Sequence, residues 1–218
     1  HNVANASTAG FRAEEVKFET VLSQTGSENI AYASTGASYL SRNTGPITPT
    51  GNPLDVAIKG DAWMAIDTPG GQVYTRDGRL EMGPDGSLRT TTGFPILDAG
   101  GSPMRLDPNG GPPKIAADGM ITQAGNQIGA IGLFKLPEEA NLSRVENSSV
   151  TSDLEATPVL SFNDTGIIQG HIEGSNVNPV LEMTRLVSVT RAFEAMMASI
   201  ESNYSTHKTA IRTLGSSS

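Results

Sequence analysis

The chain has no cysteine. Disulfide staples, thiolate metal sites and thiol nucleophiles are therefore excluded, although the absence fixes no compartment. Aromatic residues are scarce at 5% and charged residues low at 17%, while Gly 24 and Pro 13 are high. That balance suits a turn-rich β body with a modest core and argues against a helical bundle. No stretch approaches the ~20 apolar residues of a transmembrane helix, and the start has no basic-then-apolar leader. Runs of Lys or Arg, and basic stripes interleaved with aromatics, are also missing. With a net charge of -8, neither nucleic acid nor an anionic membrane is an expected partner. The 218 residues suffice for one β domain with appendages or two small domains, and for a core without disulfides. The chain opens at His1 with no Met, so further residues are expected upstream in the longer protein.

Chemistry is equally sparse. The three histidines, His1, His171 and His207, are isolated, and no HExxH, HxH or similar ligand spacing exists. His171 alternates with Ile172 and is expected to be an exposed strand residue; His207 is expected to pack in a helix. Glu14-Glu15 and Glu138-Glu139 are adjacent pairs, which suit solvated surface. No serine sits in a GxSxG elbow. Gly-Gly pairs at 70–71, 100–101 and 110–111 lie between strands, where no helix N-terminus supports phosphate binding. Asp77-Gly78 and Asp85-Gly86 lack the alternating oxygens of a calcium loop. No metal, no cofactor and no catalytic residue is expected, and the chain reads as a non-enzyme. Trp63 opens an apolar strand and is expected in the core, although a lone Trp leaves a glycan-binding reading open.

Four regions follow from the pattern. Residues 1–52 are polar and weakly periodic, an extended linker-like segment. Within it FRAEEVKFETVLSQ (11–24) admits a short helix, with Phe11, Phe18 and Leu22 on one face, or a strand. Residues 53–136 form a β core: LDVAIKG, WMAI, QVYTR, RLEM, SLRTTT and FPIL. Turns are expected at Asp77-Gly78 and Pro84-Asp85-Gly86, and at Asp118-Gly119 between PKIAA and MITQA, because Asp-Gly tolerates positive φ in a hairpin. QIGAIGLFKLP (127–137) reads as one longer strand bent by its glycines. Within 137–174, residues 137–158 are acidic, Ser-rich and expected to be irregular. A last hairpin, VLSF with GIIQGHIEG, is expected to turn near Asn163–Gly166.

Region 175–218 is expected to hold one long helix, Pro179 to Leu214, and a tail. Asn178 is a good N-cap and Pro179 suits the first helical position. Residues recur at alternating spacings of three and four: Met183, Leu186, Thr190, Phe193, Met197, Ile200, Tyr204, His207, Ile211 and Leu214. This is a heptad seam, which Arg185 and Arg191 flank and Gly215 ends. The expected fold class is mainly β: an antiparallel β-rich body with hairpins, plus one long C-terminal α-helix of coiled-coil type. Packing across the β body would cover the stripe, but a seam of this length and period favours other helices as partners.

Three ordered motifs carry a family resemblance. NVANASTAGF (2–11), with Asn2, Asn5, Gly10 and Phe11, resembles the N-terminal signature of the axial rod and hook proteins of the bacterial flagellum. EGSNVNPVLEMTRLVSVTRAFE (173–194) is similar to that family's C-terminal signature, in which Ser175, Asn176, Val177 and Asn178 open the terminal helix. Between them, PLDVAIKGDAWMAI and VYTRDGRLEMGPDGSLRTTTGFPIL resemble its central block, with Tyr74, Thr75, Arg76, Asp77 and Gly78. The form at Ala6 to Arg12, Gly60-Asp61-Ala62-Trp63 and Pro179 look like the proximal-rod branch; a distal-rod or hook subunit is the alternative. The resemblance implies a structural subunit of the basal-body rod, spanning the periplasm after type III export without a cleavable signal. It also implies pairing of α-helices from both termini, and as partners self-copies, neighbouring proximal- and distal-rod subunits and, during secretion, the export apparatus. The rival from another class is a β-rich glycan-binding module of the cell envelope.

Overall fold

A computed structural model describes residues 1–24, 29–146 and 148–215; the side chains of 18–37, 207 and 209–215 lie outside that description. The chain divides into a unit of His1–Val177 and a second of Asn178–Ser218.

The first unit is antiparallel β throughout. A 3-10 turn at Val3–Asn5 precedes a long hairpin, β1 (Glu14–Gln24) and β2 (Asn29–Leu40). There follow β3 (Ile47–Pro49), β4 (Val56–Lys59), β5 (Trp63–Thr68), β6 (Gly71–Thr75), β7 (Leu80–Met82), β8 (Leu88–Thr90), β9 (Lys114–Ile115) and β10 (Met120–Gln123). The order continues with β11 (Asn126–Ala130), β12 (Leu133–Lys135), β13 (Leu142–Arg144), β14 (Ser149–Ser152), β15 (Thr157–Pro158), β16 (Gly166–Gln169) and β17 (His171–Glu173). The central sheet has the order β13-β14-β6-β5-β12-β15. Smaller sheets pair β11-β10-β9, β7-β8, β16-β4 and β17-β3.

Strand β5 shows why its sequence is a continuous apolar run. Its alternate residues face opposite ways, and both faces are covered. Met64 and Ile66 enter the main core with Val56, Ile58, Leu88, Ile96, Ile121 and Leu133. Trp63 packs instead with Leu40, Leu136 and Val150, and Ala65 with Leu97 and Phe134.

Several expectations change. The 11–24 stretch is strand from Glu14 onward; Phe11 is buried, and the proposed shared face with Phe18 and Leu22 falls on side chains outside the described residues. QIGAIGLFKLP is not one strand. Its chain leaves β11 after Ala130 and starts β12 in another sheet at Leu133, with Gly132 donating to the Leu97 carbonyl at 2.9 Å. Residues 137–158 are not irregular: they supply β13, β14 and β15, and β14 pairs with β6. The last hairpin is absent, because β16 pairs with β4 and β17 with β3. A returning segment saturates distant edges that local pattern does not reveal.

The Asp-Gly turns divide two to one. Gly86 (φ 78) and Gly119 (φ 85) adopt positive φ and close β7–β8 and β9–β10. Asp77-Gly78 closes no hairpin, since β6 pairs with β5 and β14. Gly78 is required for a different reason: a Cβ there would lie 1.6 Å from the Val56 carbonyl oxygen, where the Val56 amide donates to the Gly78 carbonyl.

The second unit holds one helix, α1 (Pro179–Gly215), of 37 residues, about 55 Å long at ~1.5 Å per residue. Leu181 N–H donates to Asn178 Oδ1 at 3.1 Å, the expected N-cap. Thr184, Ser188, Thr190 and Thr206 turn their hydroxyls back onto the carbonyls four residues earlier.

Gly78→Ala is expected to cost at least about 2 kcal/mol by overpacking, against no more than about 0.5 kcal/mol for Gly70→Ala at an open surface site; urea denaturation of both variants checks this. In the β7–β8 turn, hydrogen bonds from the Ser87 side chain and backbone lead the causes that lower Asp85 to about 2. A depressed carboxylate stabilises the folded form above the ordinary value of 3.8 and loses that contribution as pH falls through about 2. NMR titration is expected to show the Asp85 midpoint near about 2.

Candidate functional site

The three family-like motifs meet at one buried carboxylate. Glu173, the last residue of β17, is fully buried. Its Oε1 accepts from Arg12 Nη2 at 2.6 Å and from the Gly45 amide at 2.8 Å; Oε2 accepts from Arg76 Nε at 2.7 Å. Its own carbonyl accepts from the Gly10 amide at 2.8 Å. One side chain thus joins the N-terminal segment, the turn before β3 and the end of β6.

Arg76 is the better satisfied partner. Nη1 donates to the Gly60 and Ala62 carbonyls, and Nη2 to Ile58, so it also bonds the loop between β4 and β5. Arg12 has only its Nη2 contact; Nε and Nη1 find no acceptor among the described residues. Burial first, then repulsion from Arg76, lowers the Arg12 pKa, opposed by Glu173. Trp63 lies beside both guanidinium groups, with ring-centroid distances of 5.7 Å to Arg12 and 5.8 Å to Arg76, in cation–π range.

The remaining motif residues fasten the same junction. Asn176 Oδ1 accepts from the Ala13 amide at 2.6 Å and Nδ2 donates to the Asn43 carbonyl at 2.8 Å. Ser175 Oγ accepts from Val177 N–H, and Val177 packs against Phe11 and Ala13. Asn2 exchanges two bonds with the Glu14 backbone, each 2.9 Å; Asn5 bonds the His1 carbonyl and the Thr8 hydroxyl. A Cβ on Gly10 (φ 68) would meet the Asp77 amide nitrogen at 2.3 Å. Thr75 Oγ1 accepts from the Asp77 amide, Asp77 pairs with Arg79, and Tyr74 packs against Phe134.

Sequence reading grouped these motifs but singled out neither Glu173 nor its electrostatic role, nor Asn43 and Gly45. A lone Glu beside the S-N-V-N run is the available signal, yet pattern gives no hint that it is buried. The seam residues belong to α1. Met183, Leu186, Thr190, Phe193, Met197, Ile200 and Tyr204 are exposed; the side chains of His207, Ile211 and Leu214 lie outside the described residues. Among the described residues no cluster of His, Asp and Glu suits a metal ion. Trp63 is 1% exposed, which denies it a role as a sugar-stacking platform.

Glu173→Gln leaves two buried guanidinium groups without a counter-charge and is expected to cost ~3–5 kcal/mol. Guanidinium denaturation followed by Trp63 fluorescence measures that loss.

Comparison with known proteins agrees with the geometry. Residues 57–123 match the model of the flagellar hook protein FlgE/F/G D1 domain, and residues 168–213 that of the flagellar basal body rod FlgEFG protein C-terminal region. The flagellar basal-body rod protein FlgF of Mesorhizobium japonicum is 51% identical, covering 100% of this chain and 90% of the relative. FlgF of Escherichia coli is 34% identical over 92% of this chain and 84% of the relative. FlgG of Bacillus subtilis is 30% identical over 89% of this chain and 84% of the relative. This chain belongs to the flagellar rod and hook family, as a member of its basal-body rod protein FlgF group.

Proposed function

We propose that the protein is a structural subunit of the flagellar basal-body rod, built into the axial shaft through its terminal helix. The observation that carries this reading is agreement between parts: one family model falls in the β body and the other reaches along α1, while FlgF relatives cover the chain from end to end. The relatives carry the names of flagellar basal-body rod proteins.

In this reading α1 polymerises. A lone helix covers none of its own apolar side chains, and Leu186 (62% exposed), Phe193 (62%) and Ile200 (57%) lie on the heptad seam with Met183, Thr190, Met197, Tyr204, Ile211 and Leu214. Burial of such side chains against neighbouring helices contributes ~1.5–3 kcal/mol each, enough to offset ordering entropy when several act together. The β body supplies lateral contacts to adjacent proximal- and distal-rod subunits and to copies of itself. The shaft so formed transmits torque and encloses the export channel through which the subunit itself travels. Among the described residues no helix is long and apolar enough to cross a membrane.

Deleting the gene is expected to abolish swimming and leave basal bodies without a finished rod by electron cryotomography, with rescue by the full-length gene. Intact rods in the deletion strain would remove the reading. Phe193→Asp is expected to reduce motility at least tenfold while the melting temperature of the β body stays unchanged. Normal swimming by that variant would displace the seam from its assembly role.

A further inference from the structure

We propose that residues 1–13 form a strap that opens as a unit while the rest of the β body stays folded, with Arg12 as its built-in weak point. The inference does not rest on the rod reading; it comes from how unevenly the Glu173 junction is satisfied.

Three observations carry it. First, Glu173 does not need Arg12. With Arg12 withdrawn, Oε2 still holds Arg76 and Oε1 still holds the Gly45 amide, so the body keeps its buried carboxylate neutralised. Second, the contact between strap and body strands polar groups. Arg12 is 1% exposed, yet its Nε and Nη1 and the indole Nε1 of Trp63 have no acceptor among the described residues. Closing the strap dehydrates the two Arg12 donors without replacing their water, a cost that opening recovers. Third, the strap brings its own small core. Phe11, Ala13 and Val177, with Ala6, form a cluster separate from the main core around Ile58 and Met64. No residue of that cluster belongs to the larger one.

What closes the strap is its amide bonds to the body, the Phe11 cluster, and Arg144, whose Nη2 donates to the Arg12 carbonyl and whose guanidinium lies 4.1 Å from the Phe11 ring centroid. The amides of Gly10, Ala13, Ser41 and Asn176 donate across the seam between strap and body. Opening returns all four to solvent together, so they form one cooperative set in hydrogen exchange. Arg76 resists release, because it is tied to the Ile58, Gly60 and Ala62 carbonyls as well as Glu173. Trp63 keeps that guanidinium as a neighbour after Arg12 leaves.

The test is hydrogen exchange by NMR on the 218-residue chain, wild type and Arg12→Met. In the wild type the amides of Gly10, Ala13, Ser41 and Asn176 are expected to exchange together, at least tenfold faster than core reporters such as Leu88, Ile96 and Leu97, whose amides are bonded within the body. In Arg12→Met, which fills the site without an unpaired charge, the strap set is expected to slow about tenfold with core rates unchanged. A wild-type strap set exchanging at the core rate would overturn the proposal. So would a strap set that is unchanged or faster in Arg12→Met, or a variant that no longer folds, since each makes Arg12 a support of the closed state.

Discussion

The Glu173 carboxylate draws together three segments of the β body that lie far apart in sequence. It accepts from a guanidinium 161 residues upstream, from another 97 residues upstream, and from an amide between them. In a low-dielectric interior such charge-assisted bonds are short and directional, but they offset a large desolvation cost rather than adding a large surplus. The junction therefore specifies an arrangement more than it stabilises one. Because Glu173 ends β17 and the S-N-V-N run follows it, the position of the last body segment is set at the same point that fixes the first.

The two arginines show how burial can be shared unequally. Arg76 spends its donors on four acceptors, three of them carbonyls of the β4–β5 region, and in doing so holds an irregular loop that has few partners of its own. Among the described residues Arg12 makes one ionic contact and leaves two donors unmatched. Both lie near Trp63, the only tryptophan, so the indole reports on either side of the junction. The junction is thus tied firmly on the Arg76 side and by fewer bonds on the Arg12 side.

Much of this was legible in the residues. Asn178 with Pro179, and alternate spacing of apolar side chains from Met183, mark α1 because helix start and period are local properties. Asp85-Gly86 and Asp118-Gly119 mark their hairpins because short turns, here of three residues each, are local as well. Asp77-Gly78 misleads for an instructive reason: the same dipeptide serves a close backbone crossing with Val56, and only the neighbour distinguishes the two uses. Residues 137–158 misled because short strands owe their pairing to distant partners such as Tyr74 and Phe134, with no periodicity of their own. Of the junction, Gly10, Phe11, Arg76 and Asn176 were visible as motif members. Glu173 heads the third motif, but its burial was not visible, since a carboxylate's burial depends on which cations the fold delivers to it.

The hydroxyls of α1 bear on wetting. Thr184, Ser188, Thr190 and Thr206 already spend their protons on carbonyls one turn back. Stripping water from these sides of the helix strands none of these hydroxyl protons, so drying costs little there. Reversible drying of that kind suits a segment that meets water and crowded protein surroundings at different stages of its life.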